Sequence, residues 1–342
     1  MRNTAFGLAL VLGLFGLRAA ANDAAADRAS QLPPELEAAV LNRHGDDAQP
    51  GSLQGQLHRN GRQMAVDCDR QGPGVVQAAI EASDPGDSIL VEGTCTENLF
   101  FPEGKDRLTL DGKGAATIVA ATAEEDAILV RGRGITVAGL TVRGGRDVIT
   151  VSWGGNVLLD GNTIEKGARF GIHLAQMGAA AIINCVVQGN AQGGIVVPGG
   201  SFAFIGFKSS FDTVASPNVI QNNGGSGIAL VRNATARISG NTIRNNAANG
   251  VNVGRASQAD LSDNKIDGNG ANGIQVMQGS GVNLGEDAGN TLLTKPNSTT
   301  IPNGQFGVRC ALGGYTDGRI GSLNGARDAQ SHTDGCINSL IP

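Results

Sequence analysis

The chain has 342 residues, with 52 glycines, only 4 % aromatic and 17 % charged residues, and a formal net charge of −5. This composition suits tight turns and thin β layers and argues against an aromatic globular core. The mild negative charge removes the electrostatic ground for nucleic acid as a partner.

The first element is a secretory signal at 1–21. Arg2 supplies the positive start, Ala5 to Leu17 the short apolar run, and Ala19-Ala20-Ala21 a small-residue cleavage site, so the mature chain begins near Asn22. Export follows, and the protein is expected to be secreted or periplasmic. No later segment is apolar enough to span a bilayer. Residues 22–62 are rich in Ala, Asp, Gln and Gly and lack periodicity. They read as a flexible leader with a short helix over Glu35 to Arg43. A single domain with a C-terminal cap is expected over 63–342. It opens with a strand at Val66-Asp67-Cys68 and a helix over Val75 to Ala82, with Val75, Ala78, Ala79 and Ala82 on one face. Pro85-Gly86-Asp87 ends that helix and Ser88-Ile89-Leu90-Val91 forms the next strand. A helix there covers the open end of a strand stack, where unpaired backbone is otherwise a hazard.

From Leu108 onward the chain alternates strand and turn, and a regular unit sets in. Gly171, Gly194, Gly227, Gly250 and Gly273 each precede an aliphatic–x–aliphatic triplet, at spacings of 23, 33, 23 and 23 residues. Nine residues before each stand Asn162, Cys185, Asn218, Asn241 and Asn264. In the unit 236–258, Ala236 and Ile238 point inward, Gly240-Asn241 turns, Ile243 points inward, 244–249 is a polar loop, and Val251 and Val253 point inward. Three short strands per unit, stacked parallel on those of the next, make a right-handed parallel β-helix: an all-β solenoid with an N-terminal capping helix. The asparagines at the first bend are expected to stack as a hydrogen-bonded ladder. A globular α/β fold is excluded because no helical pattern separates the strands.

The 33-residue spacing places ten extra residues within 199–217, a stretch holding Phe202, Phe204, Phe207 and Phe211. They read either as an apolar wall beside the groove or as an extra strand or hairpin burying its own aromatics. An oxidising compartment permits disulfides. Cys68 pairs with Cys95 and Cys310 with Cys336, because each pair brackets one end of the repeat. Cys185 is left as a small buried residue at a ladder position. Stacked charges are expected at Arg237 with Asp260 and Arg244 with Asp267, and an amide stack at Gln188 with Gln221.

Gly74 to Asn98, GVVQAAIEASDPGDSILVEGTCTEN, resembles the N-terminal capping helix and first coil of the pectate-lyase-like superfamily. ISGNTIRNNAANGVNV and LSDNKIDGNGANGIQV resemble its β-helix repeats, and the resemblance spans roughly 66–310. The resemblance implies that a sugar polymer binds along the groove beside the strand that follows each repeat glycine. Outward positions there are Thr150, His173, Val196, Ala229, Asn252 and Gln275, and five residues after each glycine stand Gln176, Gly199, Arg232, Arg255 and Gln278.

No acid appears in either column. Calcium takes oxygen ligands that usually include carboxylates, and inverting glycosidases need paired carboxylates. A calcium-dependent lyase and a carboxylate-driven hydrolase are therefore both disfavoured. An Arg or His base remains compatible with proton abstraction beside a uronate carboxylate. The candidates for that role are Arg232, Arg255 and His173. Substrate contacts are expected from Trp153, His173, Gln176, Arg232, Asn252, Arg255, Gln275 and Gln278. The histidines His44, His58, His173 and His332 lack metal-ligand spacing, so no metal or cofactor is expected. The favoured reading is an exported β-helix protein that binds a polysaccharide or cell-surface partner through this groove without catalysis. The alternative is a metal-free polysaccharide lyase.

Overall fold

The computed structural model describes residues 61–285, 294–327 and 330–342. The signal segment and almost all of the leader, with the expected helix over Glu35 to Arg43 and with His44 and His58, lie outside them. The described residues wind into a right-handed parallel β-helix with three sheets. The first sheet has twelve strands, from Gln63–Asp67 to Ile337–Ile341; the second has eight, from Thr94–Thr96 to Lys265–Asp267; the third has ten, from Leu99–Phe101 to Ser331–Asp334. Pairing is parallel, and each regular coil contributes one strand to each sheet in turn, while the terminal coils lack one or two of the three. The inward aliphatics form one continuous core, with Ile238, Ile243, Val251 and Val253 all fully buried in the unit used to define the repeat.

The repeat glycines are explained by crowding between coils rather than by turn conformation. A Cβ on Gly227 would sit 2.7 Å from Asn246 Nδ2, 2.8 Å from Ile243 Cγ2 and 2.9 Å from the Gly250 carbonyl oxygen. No real Cβ fits there, so the coils from Gly171 to Gly273 carry glycine at this close approach, whereas the two coils before them have Ala127 and Val148.

The expected ladder is present and extends from Asn162 through Cys185, Asn218, Asn241 and Asn264 to Asn297. Asn218 Nδ2 donates to Asn241 Oδ1 at 2.8 Å, Asn241 to Asn264 at 3.0 Å, and Asn264 to Asn297 at 2.9 Å. A second ladder runs through Asn190, Asn223, Asn246, Asn269 and Asn303, each amide donating to the next at 2.9–3.0 Å. Its members follow the first ladder by five or six residues. Both ladders are buried, and they satisfy the backbone at the bends flanking the second sheet, where no strand ladder can.

The N-terminal end is closed by α1, Cys68–Gln71, and α2, Val75–Ala82, which pack on the first strands of the stack. The buried face of α2 is Val76 and Ile80, with Val75 and Ala79 beside it, whereas Ala78 and Ala82 are exposed. The sequence pattern was thus one position out of phase: the larger Ile80, with Val76 one turn before it, sets the face rather than the small alanines. Glu97 accepts from the backbone N–H of Val76 and Gln77 at 3.2 and 2.9 Å and so caps the helix start. The Gln77 amide accepts from Phe100 N at 2.8 Å and donates to Phe100 O at 3.3 Å, standing in for a missing neighbouring strand.

Both disulfides form as expected, Cys68–Cys95 and Cys310–Cys336. Cys185 is free and buried, and burial pushes its thiol up to about 12. Arg237 meets Asp260 at 3.2 Å, and Gln221 donates to Gln188 at 3.0 Å. The expected Arg244–Asp267 pair shares register but does not form. Arg244 donates to Gln221 instead, and Asp267 accepts from the backbone of Thr300 and Ile301 and from Lys265, which lies two residues away on the same strand face.

The ten extra residues leave the bend between first and second sheets, after the strand Phe202–Ile205. Phe207 is fully buried, Phe202 and Phe204 stack edge-on at 4.7 Å, and Phe211 is 92 % exposed. The groove of the third sheet lies elsewhere on the coil, so the insertion does not form its wall. Among the described residues no helix is long and apolar enough to cross a membrane.

Candidate functional site

The outward column of the third sheet runs in register through Leu129, Thr150, His173, Val196, Ala229, Asn252, Gln275 and Arg309. Its early part carries a cleft of about 480 Å³. Thr150 and His173 form its floor, Trp153, Gln176 and Arg232 come from the bends that follow the strands, and Arg131, Arg146 and Arg169 complete a basic wall. Of the residues singled out in the sequence, the structure therefore gathers Trp153, His173, Gln176 and Arg232 into one site.

Arg255, Asn252, Gln275 and Gln278 lie on the same sheet face but beyond the cleft. Asn252 and Gln275 stand three and four coils from His173, or about 14 and 19 Å at the usual inter-strand spacing. The Gln275 side chain is engaged locally, accepting from Asn272 just before its strand and donating to Met277 Sδ within it. Arg232 and Arg255 follow paired strands on adjacent coils as expected, yet only Arg232 lines the cleft.

The groove is not free of acids. Asp126 and Asp147 stand two residues before the paired strands Ile128–Val130 and Ile149–Val151, one step outside the outward columns. Each is clasped by an arginine from the next coil. Arg146 grips Asp126 through Nε and Nη2 at 3.1 and 3.2 Å, and Arg169 grips Asp147 at 3.1 and 2.5 Å. The Asp147 side chain is completely buried. It also accepts from the backbone of Phe170 at 3.2 Å and meets His173 Nδ1 at 3.0 Å. Burial acts to raise the Asp147 carboxyl, but the hydrogen bonds from His173 and Arg169, followed by their charges, outweigh it and hold it below its ordinary value.

Two consequences follow for the cleft. The ionised Asp147 fixes the His173 ring through Nδ1, which leaves Nε2 as the nitrogen available to a ligand. Arg146 and Arg169 are held as rigid forks, whereas Arg131 and Arg232 form no ion pair among the described residues. Arg131 lies over the Phe100 and Trp153 rings, 5.5 and 5.8 Å from their centroids. Aromatic faces of this kind orient a guanidinium without neutralising it. Trp153 is 58 % exposed and offers the cleft a flat apolar face. The cleft thus brings together two guanidinium groups without ion pairs among the described residues, an exposed aromatic face and an imidazole held by a carboxylate.

The donors available to a metal are sparse among the described residues. His173 and His332 stand on well-separated coils, and four cysteines are in disulfides. The group in which three His, Cys, Asp or Glu side chains converge is Cys68, Cys95 and Glu97. Its two cysteines form a disulfide, and its carboxylate caps α2.

Residues 112–293 match the family described as periplasmic copper-binding protein (NosD). Among solved structures the chain is similar to pectate lyase Pel9A, with 14 % identity, a TM-score of 0.53, and coverage of 82 % of this chain and 77 % of that one. It is also similar to the periplasmic alginate epimerase AlgG, with 14 % identity, a TM-score of 0.43, and coverage of 82 % and 73 %. A third is the A-module of the mannuronan C-5 epimerase AlgE6 of Azotobacter vinelandii, with 12 % identity, a TM-score of 0.46, and coverage of 82 % and 90 %. At these identities the likeness is one of fold. A search of curated proteins by sequence returns no match.

Proposed function

The chain belongs to the NosD family, described as periplasmic copper-binding protein, and on that premise we propose that it is an exported β-helix protein that binds an acidic polysaccharide in the cleft of its third sheet. The observation that carries this reading is the pair of guanidinium groups, Arg131 and Arg232, that line the cleft without a carboxylate partner beside the exposed Trp153 face. A uronate supplies the matching chemistry, since its carboxylate suits an arginine fork and its ring has an apolar face for stacking. The copper of the family description does not fit the described residues. Copper sites take imidazole, thiolate or thioether donors in close array, and here the thiols are bonded to each other or buried at Cys185.

A catalytic version of the same reading rests on His173. With Nδ1 held by Asp147 at 3.0 Å, Nε2 can take the proton from the carbon next to the uronate carboxylate. The arginines would stabilise the charge that develops on that carboxylate. Elimination then breaks the bond to the glycosidic oxygen and leaves an unsaturated uronate, a proton from water completing the leaving hydroxyl. The acids that the sequence columns lacked are supplied here by Asp147, which orients the histidine.

The test is titration with oligogalacturonate and oligomannuronate against a neutral glucan. Binding to a uronate that weakens with salt, falls at least about tenfold in Arg232→Ala and stays within about twofold in Arg255→Ala supports the cleft. Equal loss in both variants, or equal retention of the neutral glucan, refutes it. Ultraviolet absorbance of an unsaturated product, lost in His173→Ala, separates the lyase from the binder.

A further inference from the structure

Two buried polar atoms of cleft residues have no hydrogen-bond partner: Thr150 Oγ1 and Arg131 Nε. Thr150 is only 6 % exposed and stands beside His173 in the strand register. In this column Leu129 precedes it and His173, which lines the cleft, follows it, while Val196 and Ala229 on the next two coils are apolar. Leu129, Val196 and Ala229 fill the same column without a polar group, so packing of the sheet does not require a hydroxyl here. A buried hydroxyl without a partner lowers the stability of the folded state, and valine would occupy the same volume without that penalty. The hydroxyl gains a purpose only when something enters the cleft.

We infer that Thr150 is a specificity-determining residue, whose hydroxyl bonds a ring hydroxyl of the acidic sugar while the sugar's carboxylate lies against Arg131 and Arg232. This rests on the reading of the cleft as a uronate site. A site whose buried polar group is completed by a ligand hydroxyl rejects analogues that lack it, because the group is again left unpaired. Charge alone does not make that distinction: a polycarboxylate without sugar rings satisfies the arginines and leaves Thr150 as it was. Thr150 thus separates sugar acids from other polyanions.

The experiment compares wild type, Thr150→Val and Thr150→Ser by calorimetric titration with oligogalacturonate, oligomannuronate and poly-L-glutamate. Thr150→Val loses about tenfold in affinity for the uronate that wild type binds, retains its affinity for polyglutamate, and melts no lower than wild type. Thr150→Ser, which keeps the hydroxyl, stays within about twofold on the uronate. Should valine disturb the coil, Thr150→Ala removes the same hydroxyl. Undiminished uronate binding in the valine and alanine variants overturns the inference and leaves the cleft reading intact, as does equal loss on uronate and polyglutamate. Failure of wild type to bind any uronate sinks both.

Discussion

Replacing Cys185 by asparagine should make this protein more stable. Cys185 occupies one rung of the first ladder, and its coil superposes in register on those of Asn162 and Asn218. At a regular rung such as Asn241 the amide donates to the Ile205 carbonyl at 2.9 Å and to the next rung at 3.0 Å, and its oxygen accepts from Asn218 N at 3.0 Å. At Cys185 these places are taken by sulfur. The thiol lies 3.6 Å from the Leu159 carbonyl, accepts from Asn162 N at 3.4 Å and lies 3.9 Å from the Asn162 amide. Asparagine would replace these weak sulfur contacts with several ordinary hydrogen bonds and would also donate to Asn218 Oδ1. A net gain of about 0.5–1.5 kcal/mol per bond, reduced by side-chain ordering and the loss of buried sulfur, leaves about 1–2 kcal/mol. For a domain of this size that raises the melting temperature by about 2–4 °C. Differential scanning calorimetry of wild type, Cys185→Asn and Cys185→Ala is the assay. If the asparagine variant melts with or below the alanine variant, the ladder is not the source of stability assigned to it.

Three further outcomes are expected. Asn241→Ala removes donors to Ile205, Ser239 and Asn264 and an acceptor for Asn218, all buried; it should cost about 3 kcal/mol or more in urea unfolding, with the loss of amide-exchange protection concentrated in the adjoining coils. Asp147→Asn strips the charge from a buried carboxylate that holds Arg169 and His173, and a loss of about 2–3 kcal/mol at pH 7 is expected, below that of a fully buried pair because the Arg169 side chain is 37 % exposed. Because the native Asp147 pKa lies below its ordinary 3.8, its contribution is complete above about pH 4 and disappears as pH falls through the native value; the gap between wild type and Asp147→Asn should therefore close in acid, and a gap unchanged to pH 2 would refute the assignment.

The fold was legible because its causes repeat. Gly227 and Gly250 recur wherever two coils touch too closely for a Cβ, and Asn218 and Asn241 recur wherever a bend leaves backbone groups to satisfy. A repeated cause leaves a countable mark. The second ladder had such a mark, an asparagine five residues after the first at Asn223, Asn246 and Asn269, but it fell inside a loop that polarity alone already explained. The cleft is harder to read because it is built where the repeat is broken. Asp126 and Asp147 occupy a position that later coils fill with Phe170, Gly193 and Ser226, so no column reveals them. Their partners Arg146 and Arg169 are equally local. Trp153, Gln176 and Arg232 were found because the bend that carries them follows every strand, while the pairing of His173 with Asp147 needed the coil geometry.

The coil register has one more consequence. The coils from Asn218 to Leu284 join their neighbours through the same glycine, the same two asparagines and the same strand pairings, and the cleft receives only Arg232 from them. Duplicating or deleting one 23-residue unit downstream of Arg232 would reconnect every rung without disturbing His173, Asp147 or Trp153. Rod length and cleft geometry are thus structurally separable: the stack can grow or shrink by whole units at one end while the cleft at the other stays the same.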